Sequence, residues 1–277
     1  EQGNIIRNFA YYKCDEEVSC TSIWQTRFIN MLLKYSTLKE EDSIEAKEIE
    51  YIKEKMITFS KPINESYEEI YSFEIENFFP LVDTDNKTRL YVHLKDGRNI
   101  LFDHLPAGYK RLYSIAFDLA YRLYILQMKN RKEPSGIAII DEVDLHLHPS
   151  LEQEVLIRFR NTFPKIQFIV STHSAAVMAN LKKEGVDNII YDMEAQGTEP
   201  RELPDIYGID YTTTVYDFMN TPYPDNEVKE EIDAIVRLIR MDKAELADKR
   251  KEQLKGMVTK ERYSKIIKEI EDILADD

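Results

Sequence analysis

Two short apolar runs, each ending abruptly in polar side chains, constrain this chain more than any other feature. Gly136-Ile-Ala-Ile-Ile ends in Asp141-Glu142, and Gln167-Phe-Ile-Val ends in Ser171-Thr172-His173-Ser174. Runs this short, without polar alternation, read as strands covered on both faces, the habit of a parallel sheet. Between them, about Pro149 to Asn161 reads as a helix, and proline suits its first turn. Strand, helix and strand in that order make a crossover unit, so the class is α/β. In a parallel sheet the strand C-termini share one edge, where ligands bind. Glu142 and His173, 31 residues apart, are thereby assigned to the same edge.

The rest of the chain hangs on that unit. Residues 17–57 read as helices, with Ile23, Phe28, Met31, Leu32 and Tyr35 at near-helical spacing, and Lys39 to Lys55 as a solvated, charge-rich face broken at Pro62 and Asn64. A strand is expected around Ile70–Ile75. Arg89–Leu94 and Arg98–Phe102 flank Asp96-Gly97, a hairpin signal of the type I′ kind. Tyr109 to Met128 is a helix with Leu112, Ile115, Ala116, Leu119, Leu123 and Leu126 on one face. A second helix spans Ser174–Lys183, and Asn188–Tyr191 is a third short strand. From Glu227 onward the pattern is helical only, with stripes Val228, Ile232, Ile235, Ile239 and Tyr263, Ile266, Ile267, Ile270, Leu274. Asp242 with Glu245 resembles a capping box, and Gly256 a helix end. The expected architecture is a mostly parallel sheet flanked by helices. It divides into a helical, lid-like segment (1–66), an α/β part (67–220) and a helical appendage (221–277).

Four groups of residues carry chemistry. Two adjacent carboxylates at a strand end point different ways, so Asp141 can hold Mg²⁺ through water while Glu142 accepts a proton from an attacking water. His146 and His148 follow, with Asp144 between the two groups. A zinc site using them with His173 lacks any cysteine or supporting motif, and structural or interface roles suit them better. At the second strand end, His173 can donate to a phosphate oxygen beside the hydroxyls of Ser171 and Thr172. A Ser-His-Asp hydrolase would use similar residues, but no G-x-S-x-G elbow occurs. Leu105-Pro106-Ala107-Gly108-Tyr109-Lys110-Arg111 opens the long helix, where backbone N–H groups form an anion site and Gly108 permits close approach.

Together, the order and spacing of these groups resemble the second half of an ABC-type nucleotide-binding domain of the RecF and SMC kind. The nearest resemblance is to bacterial AAA-family ATP-binding proteins, including the ATPase subunits of Septu and some retron defence systems. It rests on Asp141–Pro149 and Ser171–Ser174 and covers roughly Tyr91 to Asn220. A looser match runs from Tyr207-Gly208 through Asp217-Phe218-Met219. The resemblance implies ATP and Mg²⁺ as cofactors, with Asp141 as the Walker B aspartate on Mg²⁺, Glu142 as the catalytic glutamate and His173 as the switch histidine near the γ-phosphate. It implies that Asp144, His146 and His148 lie at a dimer seam, and that Leu105, Ala107, Gly108 and Lys110 form a signature loop capping the partner's nucleotide. Ser171 and Thr172 fall within the cofactor-binding set. The implied protein is a homodimeric ATPase coupling nucleotide state to a partner, such as a nuclease, in DNA processing or anti-phage defence.

The sequence departs from that family twice. Pro106 replaces the signature serine, removing a hydroxyl and a backbone N–H. No G-x-x-x-x-G-K-[ST] loop occurs, and with it are missing the backbone cradle and the phosphate-binding lysine. The expectation is therefore a C-terminal portion of a longer protein, inactive by itself, or a non-catalytic scaffold of the same fold. Net charge is −14, from 37 basic and 51 acidic residues, which excludes a surface that coats nucleic acid as a whole. The basic clusters Lys129–Lys132, Lys182–Lys183 and Lys249–Lys251 leave local nucleic-acid contact open. Cys14 and Cys20 form no redox or zinc pair and read as free thiols of a cytoplasmic protein. The motor of a membrane transporter is a further alternative, although the His-Leu-His-Pro block is atypical for one.

Overall fold

A computed structural model describes residues 10, 21–38, 43–63, 73–127, 135–181, 188–193, 199–219 and 227–275. The expected features at Cys14, Cys20, Asn64, Ile70, Lys129–Lys132 and Lys182–Lys183 lie outside the described residues. The chain forms two units, Glu1–Thr214 and Val215–Asp277.

In the first unit, α1 (Thr21–Leu38) and α2 (Ile44–Ser60) lead into β1 (Ile75–Val82), β2 (Thr88–Leu94) and β3 (Asn99–Leu101), an antiparallel sheet in that order. Ser43 caps α2, its hydroxyl accepting from the Ala46 N–H at 3.1 Å. The long helix α3 (Ala107–Gln127) follows, then β4 (Gly136–Ile140), α4 (Pro149–Glu152), α5 (Val155–Thr162), β5 (Ile166–Val170) and α6 (Ala175–Ala179). β4 and β5 pair in parallel, Ile140 opposite Val170. The molecule is thus α/β, with the crossover read from the sequence in place.

Helix α3 buries residues around most of its girth: Leu112, Tyr113, Ala116, Phe117, Ala120, Tyr121, Leu123 and Tyr124 are all buried. A single apolar stripe was the expectation; the helix is wider because it packs against layers on more than one side. Phe28 of α1 meets Phe78 of β1 and Phe117 of α3 edge-on at 5.7 and 5.6 Å, and Trp24 stacks on Tyr121 at 5.2 Å. Ile52, Met56 and Phe59 of α2 enter the same core. Helices α1 and α2 therefore contribute side chains to the main core.

Other expectations are corrected locally. The strand near Ile70–Ile75 begins at Ile75 and runs on to Val82. The Asp96-Gly97 hairpin is not type I′, because among its loop residues positive φ occurs only at Gly97 (+86°). Gly97 N–H donates to Leu94 O at 2.9 Å and Leu94 N–H to Arg98 O at 2.9 Å, a three-residue loop with the glycine in the left-handed position. The expected third strand appears only as β6 (Tyr191–Asp192), paired antiparallel with β7 (Arg201–Glu202) and not with β4 or β5.

The largest difference concerns the parallel pair. Only one face, with Ala138, Ile140, Phe168 and Val170, lies toward the core, whereas Ile137, Ile139 and Ile169 are 64%, 77% and 49% exposed. Replacing Ile139 by Ser should therefore change this chain's unfolding free energy by less than about 0.5 kcal/mol, while Phe159→Ala, at a fully buried site, should lower it by about 3–5 kcal/mol. Urea titration of the two variants checks this. Equal costs would mean that the exposed face is covered in solution.

The second unit contains α7 (Glu227–Arg240), α8 (Ala244–Met257) and α9 (Lys260–Ala275). Its own core joins Ile235, Val236, Leu254, Ile266 and Ile270, with Ile232, Tyr263 and Ile267 packed against it. The proposed capping box fails. Asp242 takes a left-handed φ of +58°, and Lys243 occupies the cap position without a side-chain bond. Gly256 lies inside the last turn of α8, which ends at Met257.

Candidate functional site

The tips of β4 and β5 meet, as parallel pairing requires. Ser171 N–H donates to Ile140 O at 3.1 Å, and Val143 N–H to Ser171 O at 3.0 Å. Ser171 Oγ donates to the Asp141 carboxylate and accepts from the Glu142 N–H at 2.7 Å. Thr172 Oγ1 donates to Asp144 Oδ1 and accepts from the Ser174 N–H at 3.0 Å. Ser174 caps α6, accepting from the Val177 N–H at 3.1 Å and donating to Glu152 at 2.7 Å. The two strand ends predicted to share an edge are thus laced together hydroxyl by carboxylate. Asp141, Glu142 and His173 are all exposed on it.

Residues 141–148 form a pair of successive tight turns. Leu145 N–H donates to Glu142 O and Leu147 N–H to Asp144 O, both at 3.0 Å. Two non-glycine residues hold left-handed backbone there, Glu142 (φ +46°) and His146 (φ +65°). Such a conformation is disfavoured for a residue with a Cβ and persists where its surroundings enforce it. Val143 and Leu147 anchor the turns in the core. His148 ends them as the N-cap of α4, its Nδ1 accepting from the Ser150 N–H at 3.3 Å, with Pro149 in the first turn as expected.

The opening of α3 packs on these turns. A Cβ on Gly108 would lie 2.7 Å from His146 O, so the glycine is required by the chain's own backbone. Leu105 is only 4% exposed and belongs to the core, so it anchors the loop and offers no surface to a ligand. Pro106 and Ala107 are exposed. Lys110 Nζ donates to Asp103 O at 3.1 Å and lies 3.6 Å from the Asp103 carboxylate.

Arg111, which the sequence shows only as the end of the helix-opening group, has a role that sequence reading does not reveal. Its Nη1 donates to Glu142 O at 2.5 Å and Leu145 O at 3.2 Å, and its Nη2 to Asp141 O at 3.0 Å. Its partners are backbone carbonyls about 30 residues away, which no local pattern announces. Glu152 is held by the Ser174 hydroxyl 22 residues away, a side-chain pairing that local spacing does not announce either.

Among the described residues, no three His, Cys, Asp or Glu side chains are grouped to hold a metal ion, so His146, His148 and His173 make no common metal site. A Mg²⁺ held through water needs less: it uses one or two carboxylates with substrate phosphates and keeps several waters. Asp141, exposed and already oriented by Ser171, fits that part.

Residues 32–179 match the family described as an AAA domain, named for AbiEii toxin and type IV TA systems. The chain belongs to this family. The matched span contains the site just described, from Leu105 to Ser174, and most of the first unit's core. Among relatives, the "Retron Vc95 probable ATPase" of Vibrio cholerae is 42% identical over 95 residues, 34% of this chain and 18% of that protein. The Septu protein PtuA of Bacillus mycoides is 34% identical over 105 residues, 37% of this chain and 14% of that protein. This chain's match therefore spans under a fifth of either relative. A solved structure described under ATP-driven dimerization and DNA-stimulated activation of SMC ATPases aligns at 15% identity and TM-score 0.38, over 64% of this chain and 96% of that one. Among the described residues, no helix is long and apolar enough to cross a membrane.

Proposed function

We propose that this AAA-family chain supplies the water-activating half of an ATP-hydrolysing site, built at the joined tips of β4 and β5. The observation that carries the reading is the Asp141–Ser171–Glu142 lattice, which orients the Asp141 carboxylate and the backbone of Glu142 at the joined C-terminal ends of a parallel pair, the edge where ligands bind. Phosphoryl transfer demands positioning and charge neutralisation more than covalent chemistry. Asp141, with one oxygen engaged by Ser171, keeps lone pairs for a metal-bound water. Mg²⁺, when bound there, neutralises phosphate charge. Glu142 orients the attacking water and takes its proton. His173 donates to an oxygen of the transferred group.

The chain contains no Gly-Lys phosphate loop, so the phosphate cradle comes from sequence outside this chain or from a partner. In this reading two copies meet across Asp144, His146 and His148, the loop carrying Ala107 and Lys110 caps the partner's nucleotide, and α7–α9 pass the nucleotide state to an effector. The retron and Septu names of its relatives support a defence setting. Of the basic clusters, Lys249–Lys251 lies on α8 with Arg250 paired to Glu231 at 2.5 Å and Lys251 to Asp248 at 3.3 Å, which favours a solvated helix face over a nucleic-acid contact.

The test is Mg²⁺-dependent phosphate release by the full-length protein, together with calorimetric titration by Mg·ATP. Turnover that needs Mg²⁺ is expected. Neither heat nor turnover would overturn the reading in favour of a non-catalytic scaffold.

A further inference from the structure

We propose that Arg111 is a positioning residue for the reaction at Glu142, resting on the reading that Glu142 is the group that activates water. The guanidinium spans three carbonyls of one turn, those of Asp141, Glu142 and Leu145. A planar fork with five donors suits several acceptors at once; a lysine ammonium does not reproduce that geometry. The carbonyl of Glu142 is held twice, by Arg111 Nη1 at 2.5 Å and by the Leu145 N–H at 3.0 Å. Its N–H is held by Ser171 Oγ at 2.7 Å. Glu142 thus has both sides of its backbone fixed while its φ stays at +46° and its side chain remains exposed. Ser171 ties the turn to β5, and Arg111 ties it to α3.

The second observation is on the same helix. Gly108 brings the start of α3 so close to His146 O that no Cβ fits between them. Gly108 and Arg111 lie three residues apart and so on one face of α3. That face grips the 141–147 turns at both ends, at Asp141–Leu145 through Arg111 and at His146–Leu147 through Gly108. The opening of α3 and the Glu142 turn are therefore one mechanical piece. A displacement of the exposed Pro106–Ala107 segment, whatever causes it, moves the carboxylate that activates water. A misplacement of about 1 Å at such a group costs about 100-fold in rate.

The test uses the full-length protein and compares Arg111→Ala, Arg111→Lys and Glu142→Gln for steady-state ATP turnover. Arg111→Ala is expected to lower kcat by about 10- to 100-fold with KM for Mg·ATP within about threefold of wild type, because the lost bonds align the base without binding substrate. Arg111→Lys should recover only part of the loss. Added guanidinium ion, below denaturing concentration, should raise the activity of Arg111→Ala and leave wild type unmoved. If Glu142→Gln abolishes turnover while Arg111→Ala leaves kcat unchanged, the proposal fails and the reading of the site stands. If Glu142→Gln leaves turnover unchanged, the reading fails and takes the proposal with it. A fall in kcat matched by loss of folded protein in both Arg111 variants, with no guanidinium rescue, would also overturn it.

Discussion

Replacing Glu142 with Gln should lower ATP turnover by about 10²- to 10⁴-fold, the usual contribution of a positioned general base. Gln keeps the size of the side chain and disturbs none of the backbone bonds that hold this turn, from Ser171, Leu145 and Arg111. The substitution therefore isolates proton acceptance from folding. Binding of Mg·ATP should persist, since in the proposed role Glu142 acts on the water and does not hold the nucleotide. The measurement is single-turnover phosphate release beside equilibrium binding of labelled nucleotide. Retained binding with lost release is the expected pair of results. Unchanged release would remove Glu142 from the chemistry.

The second large effect concerns stability. Arg27 of α1 donates to both oxygens of Glu48 on α2, each at 2.6 Å, and the Glu48 side chain is wholly buried. The hydrogen bond to Glu48 raises the Arg27 pKa further, so the guanidinium is charged at every working pH. Removing one partner of a buried pair leaves an uncompensated charge in a poor solvent, and Arg27→Ala should cost about 3–5 kcal/mol. Replacing the pair together, by Arg27→Met with Glu48→Leu, should recover most of that loss, because well-packed apolar residues avoid the desolvation penalty. Urea midpoints of the single and double variants decide the matter. A cost below about 1 kcal/mol for Arg27→Ala would show that water reaches Glu48 in solution.

Glu48 also shows how far the sequence can be read. It sits in the charge-rich stretch Lys39 to Lys55, whose Glu–Lys spacing describes a solvated helix face, and Lys47, Glu50 and Glu54 are indeed exposed. One glutamate turns inward because an arginine from another helix meets it. A periodicity counts residue types along one helix and cannot register a partner 21 positions earlier on another. The same limit explains the wider burial of α3, where Tyr113 and Tyr121 lie inside although the sequence pattern places the apolar stripe through Leu112, Ile115, Ala116, Leu119, Leu123 and Leu126. Tyr113 is at home there because its hydroxyl donates to Phe73 O at 2.6 Å, and burial pushes its pKa up.

What the sequence determined by itself was which side chains stand together at the edge. Strand runs ending in Asp141-Glu142 and in Ser171-Thr172-His173, joined by a helix that opens at Pro149, admit one arrangement, because parallel strands linked by a crossover must bring their C-termini to the same side. What the tertiary structure alone decided was how that edge is held and what lies behind it. Arg111 reaches across about 30 residues to carbonyls that every sequence possesses. Gly108 is small because His146 O occupies the space of a Cβ. The outer face of β4 and β5 is open although its isoleucines read as buried. Each of these depends on which surfaces meet after the chain has folded, and a pairing between distant backbone groups leaves no mark on the order of side chains.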